Sequence, residues 1–329
     1  MERFPITHFE YCLNLYSLRD SVDYINTIMT EDDVEFEAFA KKLTDEKNNL
    51  PFPTTDESLR LSLEMLFHIW RLKETGSKVF YISKDLCEVL SSMNLTIDCE
   101  FLQAPFEEIY LYLDQDDITI TDHTGTKPVK GIYVNLQRYS SYHRKFRFLA
   151  TSGAKGIEDG YDINNYASFL LPEHGELEYV LDAHLETFKK TKVSEVSFDA
   201  IRKIYRMTVN ILLYLSSNNA DLFPIQPVNI MKLAQSKKSS SKRDKLLRQA
   251  KTSASLPFIL VGKNVKAYQS TIGGAGVKLS HKVRVSGHWR GQWRGSDKEG
   301  TRKKEIIRIE SYIKGSDFTE EINKHYLVK

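Results

Sequence analysis

No run of apolar residues in this sequence approaches the roughly 18–20 that a helix needs to cross a bilayer. The longest, around Val209–Leu215, is far shorter, so no membrane partner is expected. The amino terminus, Met1-Glu2-Arg3-Phe4-Pro5, leads into polar and acidic residues rather than an apolar signal core, which points to the cytoplasm rather than export. Cysteine is scarce: Cys12, Cys87 and Cys99 are odd in number and widely spaced. A disulfide framework and a Cys-x-x-Cys zinc grip are both excluded, and buried free thiols in a reducing compartment are expected. Gly273-Gly274-Ala275-Gly276 lacks the Lys-Ser or Lys-Thr of a phosphate loop. No Gly-x-Ser-x-Gly elbow occurs and no cysteine stands beside a histidine partner. The chain is therefore expected not to be an enzyme and to need no cofactor.

What is present is a globular composition, 41% hydrophobic and 27% charged over 329 residues, ample for a buried core. The net charge of +2 conceals a polarity along the chain. Residues 1–120 carry 24 acidic against 10 basic side chains, whereas residues 230–308 carry 20 basic against 4 acidic. Such a basic end suits phosphates, an acidic protein, or the chain's own acidic half.

Hydrophobic spacing predicts helices over Phe9–Ile28 and Ser58–Lys73, a short strand at Lys78–Ile82, and a helix capped by Ser83 that runs to Met93. From Pro105 the period becomes two. Ile109–Leu113, Ile118–Thr121, Gly131–Gln137 and Lys145–Leu149 read as an antiparallel meander. Helical spacing returns at Glu176–Lys190 and Phe198–Leu215, the latter with the stripe Ile201, Ile204, Tyr205, Val209, Leu212 and Leu213. Residues 235–255 are poor in apolar and rich in Lys, Arg and Ser side chains, as in a solvated linker. Leu256–Val261, His281–Ser286 and Glu305–Ile313 read as strands between glycines. The expected fold is α+β: a helical and antiparallel-sheet domain over 1–234, a basic arm over 235–255, and a small β-rich module over 256–329.

The densest motif is HKVRVSGHWRGQWRG, His281 to Gly295, which holds two of the three tryptophans. Trp289 and Trp293 stand among Arg284, Arg290 and Arg294, with His288 adjoining. Guanidinium offers a flat fork of donors and cation–π contact, and tryptophan offers area, so the mixture suits bases, phosphates or peptides. The competing reading makes both tryptophans core. Lys237, Lys238, Lys242, Arg243, Lys245 and Arg248 in the arm, with Lys251, are candidates for nucleic-acid contact. His281 and His288 have no third ligand at a usual spacing, so no metal is expected. Asp297, Glu299 and Lys303 fit a polar hairpin better than a nuclease centre, and Asp114, Asp116 and Asp117 fit a β-turn.

The run VKAYQSTIGGAGVKLSHKVRVSGHWRGQWRGSDKEG followed by KKEIIRIESYIKG resembles the closing module of a phage- and plasmid-borne type V-A anti-CRISPR family. Upstream, Trp70-Arg71 before FYISKDLCEVL, and then QAPFEEIYLYL, KGIYVNL and ILLYLSSNNADL, are similar to the family's elements in the same order. The likeness spans most of residues 60–315 and is sharpest at His288, Trp289, Arg290, Trp293 and Gly295. It implies a protein that recognises the effector's amino-terminal peptide during translation and lowers its messenger RNA. The implied partners are a host defence protein or its nascent chain, with the ribosome or RNA nearby. An RNA-binding or RNA-cleaving protein using the arm and the tryptophan motif is the alternative.

Overall fold

The computed structural model describes residues 4–14, 22, 23, 25, 29, 36–45, 56–122, 125–152, 162–190, 198–228, 230–250, 253–266, 283–285, 287–297, 299–310 and 312–314. Its centre is strand β1, Val79–Ile82, whose four side chains are all buried. A Val-Phe-Tyr-Ile tetrapeptide has no polar face to give to water, so it sits inside a sheet covered on both sides. β1 runs parallel to β2 (Glu108–Leu113), reached through helix α4 (Lys84–Ser91), as a parallel crossover requires. Ser83 caps that helix by accepting a hydrogen bond from the Leu86 amide, as expected from the sequence. Antiparallel strands β4 (Gly125–Arg138), β5 (His143–Ser152) and β6 (Asp162–Pro172) extend the sheet to one side, and β3 (Thr119–Asp122) folds back on β4.

The strand period of two separates two cores. Phe80, Ile82, Leu111, Leu113, Val134, Phe146 and Phe148 face one way, onto α4, α5 (Leu177–Lys190) and α6 (Phe198–Ser216). Val79, Tyr81, Tyr110, Tyr112 and Tyr133 face the other, onto α1 (His8–Asn14) and α3 (Asp56–Glu74). α2 (Phe36–Asp45) stacks Phe39 on Trp70 of α3. The tyrosine face also encloses charge. His68 Nδ1 lies 2.7 Å from Glu108 Oε1, and Asn135 donates to the other oxygen at 3.0 Å. Burial pushes the Glu108 carboxyl above its ordinary range, against the pull of His68. Fully buried Arg147 donates to Glu37 at 2.8 and 2.9 Å and lies over the Phe36 ring.

On the other side of β1 the structure corrects the expected domain plan. β8 (Phe258–Val261), assigned from sequence to the separate module 256–329, pairs in parallel with β1, and β7 (Leu222–Ile225) pairs antiparallel with β8. The path across the sheet is β6-β5-β4-β2-β1-β8-β7. Phe-Ile-Leu-Val, like β1, suits a place in a sheet covered on both faces, and it sends Phe258 and Leu260 into one core and Val261 into the other. The expected linker, 235–255, is also more regular than foreseen. It holds helix α8 (Ser240–Ala250), preceded by α7 (Ile230–Gln235). Lys, Arg, Leu, Gln and Ala are good helix formers, and no residue of α8 is buried, so the arm is solvated yet helical.

Candidate functional site

The tryptophan motif forms a hairpin of β10 (His288–Arg294) and β11 (Lys303–Ile309), with Trp289 opposite Arg308, Gly291 opposite Ile306 and Trp293 opposite Lys304. Trp289, Gly291 and Trp293 share one face of the strand. Trp289 is 3% exposed, and its Nε1 donates to Asn210 Oδ1 of α6 at 2.8 Å. Asn210 in turn donates to the Leu90 carbonyl at the end of α4, 3.0 Å away. Trp289, expected as a contact residue, is therefore the anchor that ties the hairpin to two helices. Its ring is core, and its one donor is satisfied. Gly291 permits this seating: a Cβ there would lie 2.8 Å from Phe101 Cζ.

One turn of the pleat further, the same face has left the core. Trp293 is 56% exposed, and the Arg302 guanidinium lies 4.8 Å from its ring centre. Gly295, at φ +88°, then turns the chain so tightly that a Cβ would meet the Thr301 carbonyl oxygen at 2.2 Å. On the opposite face Arg290 and Arg294 are exposed and His288 is half-buried. Arg294 Nε lies 3.4 Å from Glu305, which Lys303 also meets at 2.6 Å. The Lys303 hydrogen bond holds the Glu305 carboxyl below its ordinary value. Arg290 has no ion-pair partner among the described residues. Arg284 belongs to a different ladder, β9 (Val283–Val285) with β12 (Tyr312–Lys314), where it stands opposite Ile313. The structure thus groups His288, Arg290 and Arg294 on one face of the hairpin, sets Trp293 on the other beside Arg302, withdraws Trp289 into the core, and leaves Arg284 on a separate strand pair. His281, the Gly273–Gly276 run and Lys251 lie outside the described residues.

The carboxylates singled out in sequence act as turn residues. The Asp297 carboxylate pairs with Arg302 while its backbone carbonyl accepts the Gly300 amide, and Asp116 meets Lys130 at 2.7 Å. Burial raises all three thiols, Cys87 to about 12 and Cys99 to about 11, and so removes their nucleophilic character at neutral pH.

Sequence reasoning missed a polar cleft of about 290 Å3 beside the hairpin, lined by Glu100, Arg138, Tyr142, His143, Arg144 and His174 among others. Lys304 of β11 reaches Glu100 at 3.0 Å and lies over the Phe101 ring, so hairpin and cleft share a wall. The turn between β4 and β5 leaves Tyr139 and Tyr142 at 55% and 75% exposure. The signal was the basic-aromatic run Arg138-Tyr-Ser-Ser-Tyr-His-Arg-Lys145, the same chemistry as the tryptophan motif with a weaker aromatic. Arg144 is committed to the fold: it donates to the Cys99 and Leu102 carbonyls, and burial lowers its pKa. Asp98, Glu100 and His174 each bring one donor atom within 4.8 Å of the others. Those lone pairs already serve the chain. Asp98 accepts the Glu100 and Gly175 amides, which outweigh its partial burial and hold it below its ordinary pKa.

The arm cations Lys237, Lys238, Lys242, Arg243, Lys245 and Arg248 are exposed, and no carboxylate pairs with them among the described residues. Leu246 of α8, which carries the last four of them, lines a groove at the end of β7, on the far side of β8 from β1.

The model of the anti-CRISPR type V subtype A2 family matches residues 80–313. No curated protein sequence matches the chain. The crystal structure of AcrVA2 aligns with 93% of this chain and 99% of its own, at 13% identity and a TM-score of 0.54, a likeness of fold.

Proposed function

Because this chain belongs to the anti-CRISPR type V subtype A2 family, we propose that it is a mobile-element accessory protein that binds a host defence protein or its nascent amino-terminal segment and lowers that protein's amount. The observation that carries the contact surface is Trp293. It is a large aromatic more than half exposed at the end of a hairpin whose other tryptophan is bolted to the core, with the Arg302 guanidinium over its ring and Arg290 and Arg294 exposed on the hairpin's other face. Rigid aromatic and guanidinium groups on a fixed scaffold bind at little entropic cost. The adjoining polar cleft supplies donors and acceptors for a peptide backbone.

Arg290→Ala with Arg294→Ala is expected to abolish partner capture from translating cells while changing stability by no more than about 1 kcal/mol, as surface substitutions do. Capture would be read by sequencing both bound protein and bound RNA. Undiminished recovery of a defence protein with the double variant would remove the hairpin from the reading.

Tyr139 and Tyr142 beside Arg138 favour a second reading, RNA contact by stacking. Salt separates the two: neutralising several phosphates makes affinity fall steeply with ionic strength, whereas a largely apolar peptide contact falls much less. Under either reading we expect no hydrolysis, since Asp297 is engaged by Arg302 and Lys303 by Glu305. Labelled RNA incubated with the purified protein in magnesium or manganese should stay intact. Cleavage lost on Asp297→Ala would make the turn a catalytic centre.

A further inference from the structure

The sheet ends at β7, and past it the chain doubles over its own margin through α7 and α8. Between these helices and Ala254 lies a groove of about 450 Å3, lined by Phe4, Ile225, Val228, Ile230, Leu233 and Leu246 among others. Its floor is apolar, and it leaves Val228 39% and Leu233 38% exposed. Two exposed aliphatic side chains over an apolar trough form a patch rather than singly scattered surface residues. The flank is strongly of one sign: residues 230–250 hold seven basic side chains and one acidic, Asp244. Lys237, Lys238, Lys242, Arg243, Lys245 and Arg248 are exposed with no carboxylate partner among the described residues.

We propose that this groove is a docking site for an acidic segment of another protein, one that sets two or three apolar side chains into the groove while its carboxylates meet the cations of α8 and of the turn before it. An aliphatic trough beside unpaired cations is the complement of an amphipathic acidic helix. Competing occupants fit less well. Nucleic acid would meet the cations but has nothing to place on an aliphatic floor, and the one aromatic among those six, Phe4, is engaged with Tyr81 and Phe258 at 5.5 and 4.7 Å. A strand added to the β7 edge meets Pro224, which lacks a backbone donor. A second copy joined through the same face would set like-charged arms against each other. The site is separate from the tryptophan hairpin and does not depend on its role.

The test is fluorescence anisotropy of the full-length protein with a labelled helical peptide of about fourteen residues, roughly four turns. Leucines would stand on one face and glutamates on the other. Saturable binding is expected, weakened about tenfold or more when the peptide's leucines become serine, since each lost anchor costs a tenfold step or more. Val228→Asp and Leu233→Asp in the protein should weaken it by a similar factor. Lys242→Glu with Arg243→Glu and Lys245→Glu should weaken it too, and should leave the melting temperature in place because no residue of α8 is buried. Should Leu233→Asp unfold the protein, Val228→Asp and the serine peptide decide the matter. The proposal fails if the serine peptide binds as tightly as the leucine one, if oligouridine binds more tightly than either, if Val228→Asp leaves affinity unchanged, or if sedimentation shows a dimer that closes the groove.

Discussion

Trp289→Ala is expected to cost about 3–5 kcal/mol of folding free energy, the range for emptying a large aromatic site from a core. The loss has two parts. The indole, 3% exposed, leaves a cavity between β10, α4 and α6, and Asn210 Oδ1 loses the donor it holds at 2.8 Å. Trp293→Ala, four residues on and 56% exposed, should cost less than about 1 kcal/mol and should instead reduce partner capture. Urea melts of the two variants side by side check the assignment. Equal destabilisation would mean the hairpin buries both rings, and the contact surface proposed here would have to move to the cleft.

Acidification should unfold the protein earlier than its carboxylates alone require. His8, in α1, is enclosed with its Nδ1 2.9 Å from the Tyr133 hydroxyl and its Nε2 3.5 Å from Cys12 Sγ. Burial holds its pKa at about 3 against an ordinary 6.5. A depressed pKa means that the folded state keeps the ring neutral while the unfolded chain takes up the proton. The stability this contributes is complete above pH 6.5 and is lost as pH falls toward 3. At about 1.4 kcal/mol per pH unit, the loss between pH 6.5 and 4.5 is roughly 2–3 kcal/mol. Glu108, raised by burial, acts in the opposite sense, since its folded form is favoured as pH falls. The readout is therefore the difference between the native chain and His8→Gln in urea melts across that window. The variant's stability should vary less with pH, and identical slopes would show that His8 is protonated in the fold.

Period and punctuation made much of the scaffold legible. β1, α3 and α6 follow directly from runs of apolar residues at spacings of two or of three and four, and the Ser83 cap marks where α4 begins. The strand expected from sequence ends at Ser286, so β10, in which Trp289 and Trp293, four residues apart, point the same way, was not foreseen. Nor could the motif alone tell that this face passes from core to solvent within those four residues, because that depends on what α4 and α6 place beneath the hairpin. β8 was visible as a strand but not as a partner of β1, for pairing across nearly two hundred residues leaves no local mark. Helix α8 was hidden by its charge, which argues for solvation and says nothing against helicity. β6 and α2 were missed because their polar residues dilute the period.

The position of β8 also sets an order of events during synthesis. β1 finds its neighbour on one side soon, because Tyr110 follows Val79 closely along the chain, but on the other side Phe80 must wait for Ile259, 179 residues later. At about 5–20 residues per second that interval is roughly 10–35 s. Throughout it, the Val-Phe-Tyr-Ile edge stands open as a template for strands of other molecules. A ribosome-stalled or prematurely terminated product ending before Phe258 would carry that sticky edge permanently. Such a product belongs to the substrates of chaperones and proteases rather than to the population of partly active protein.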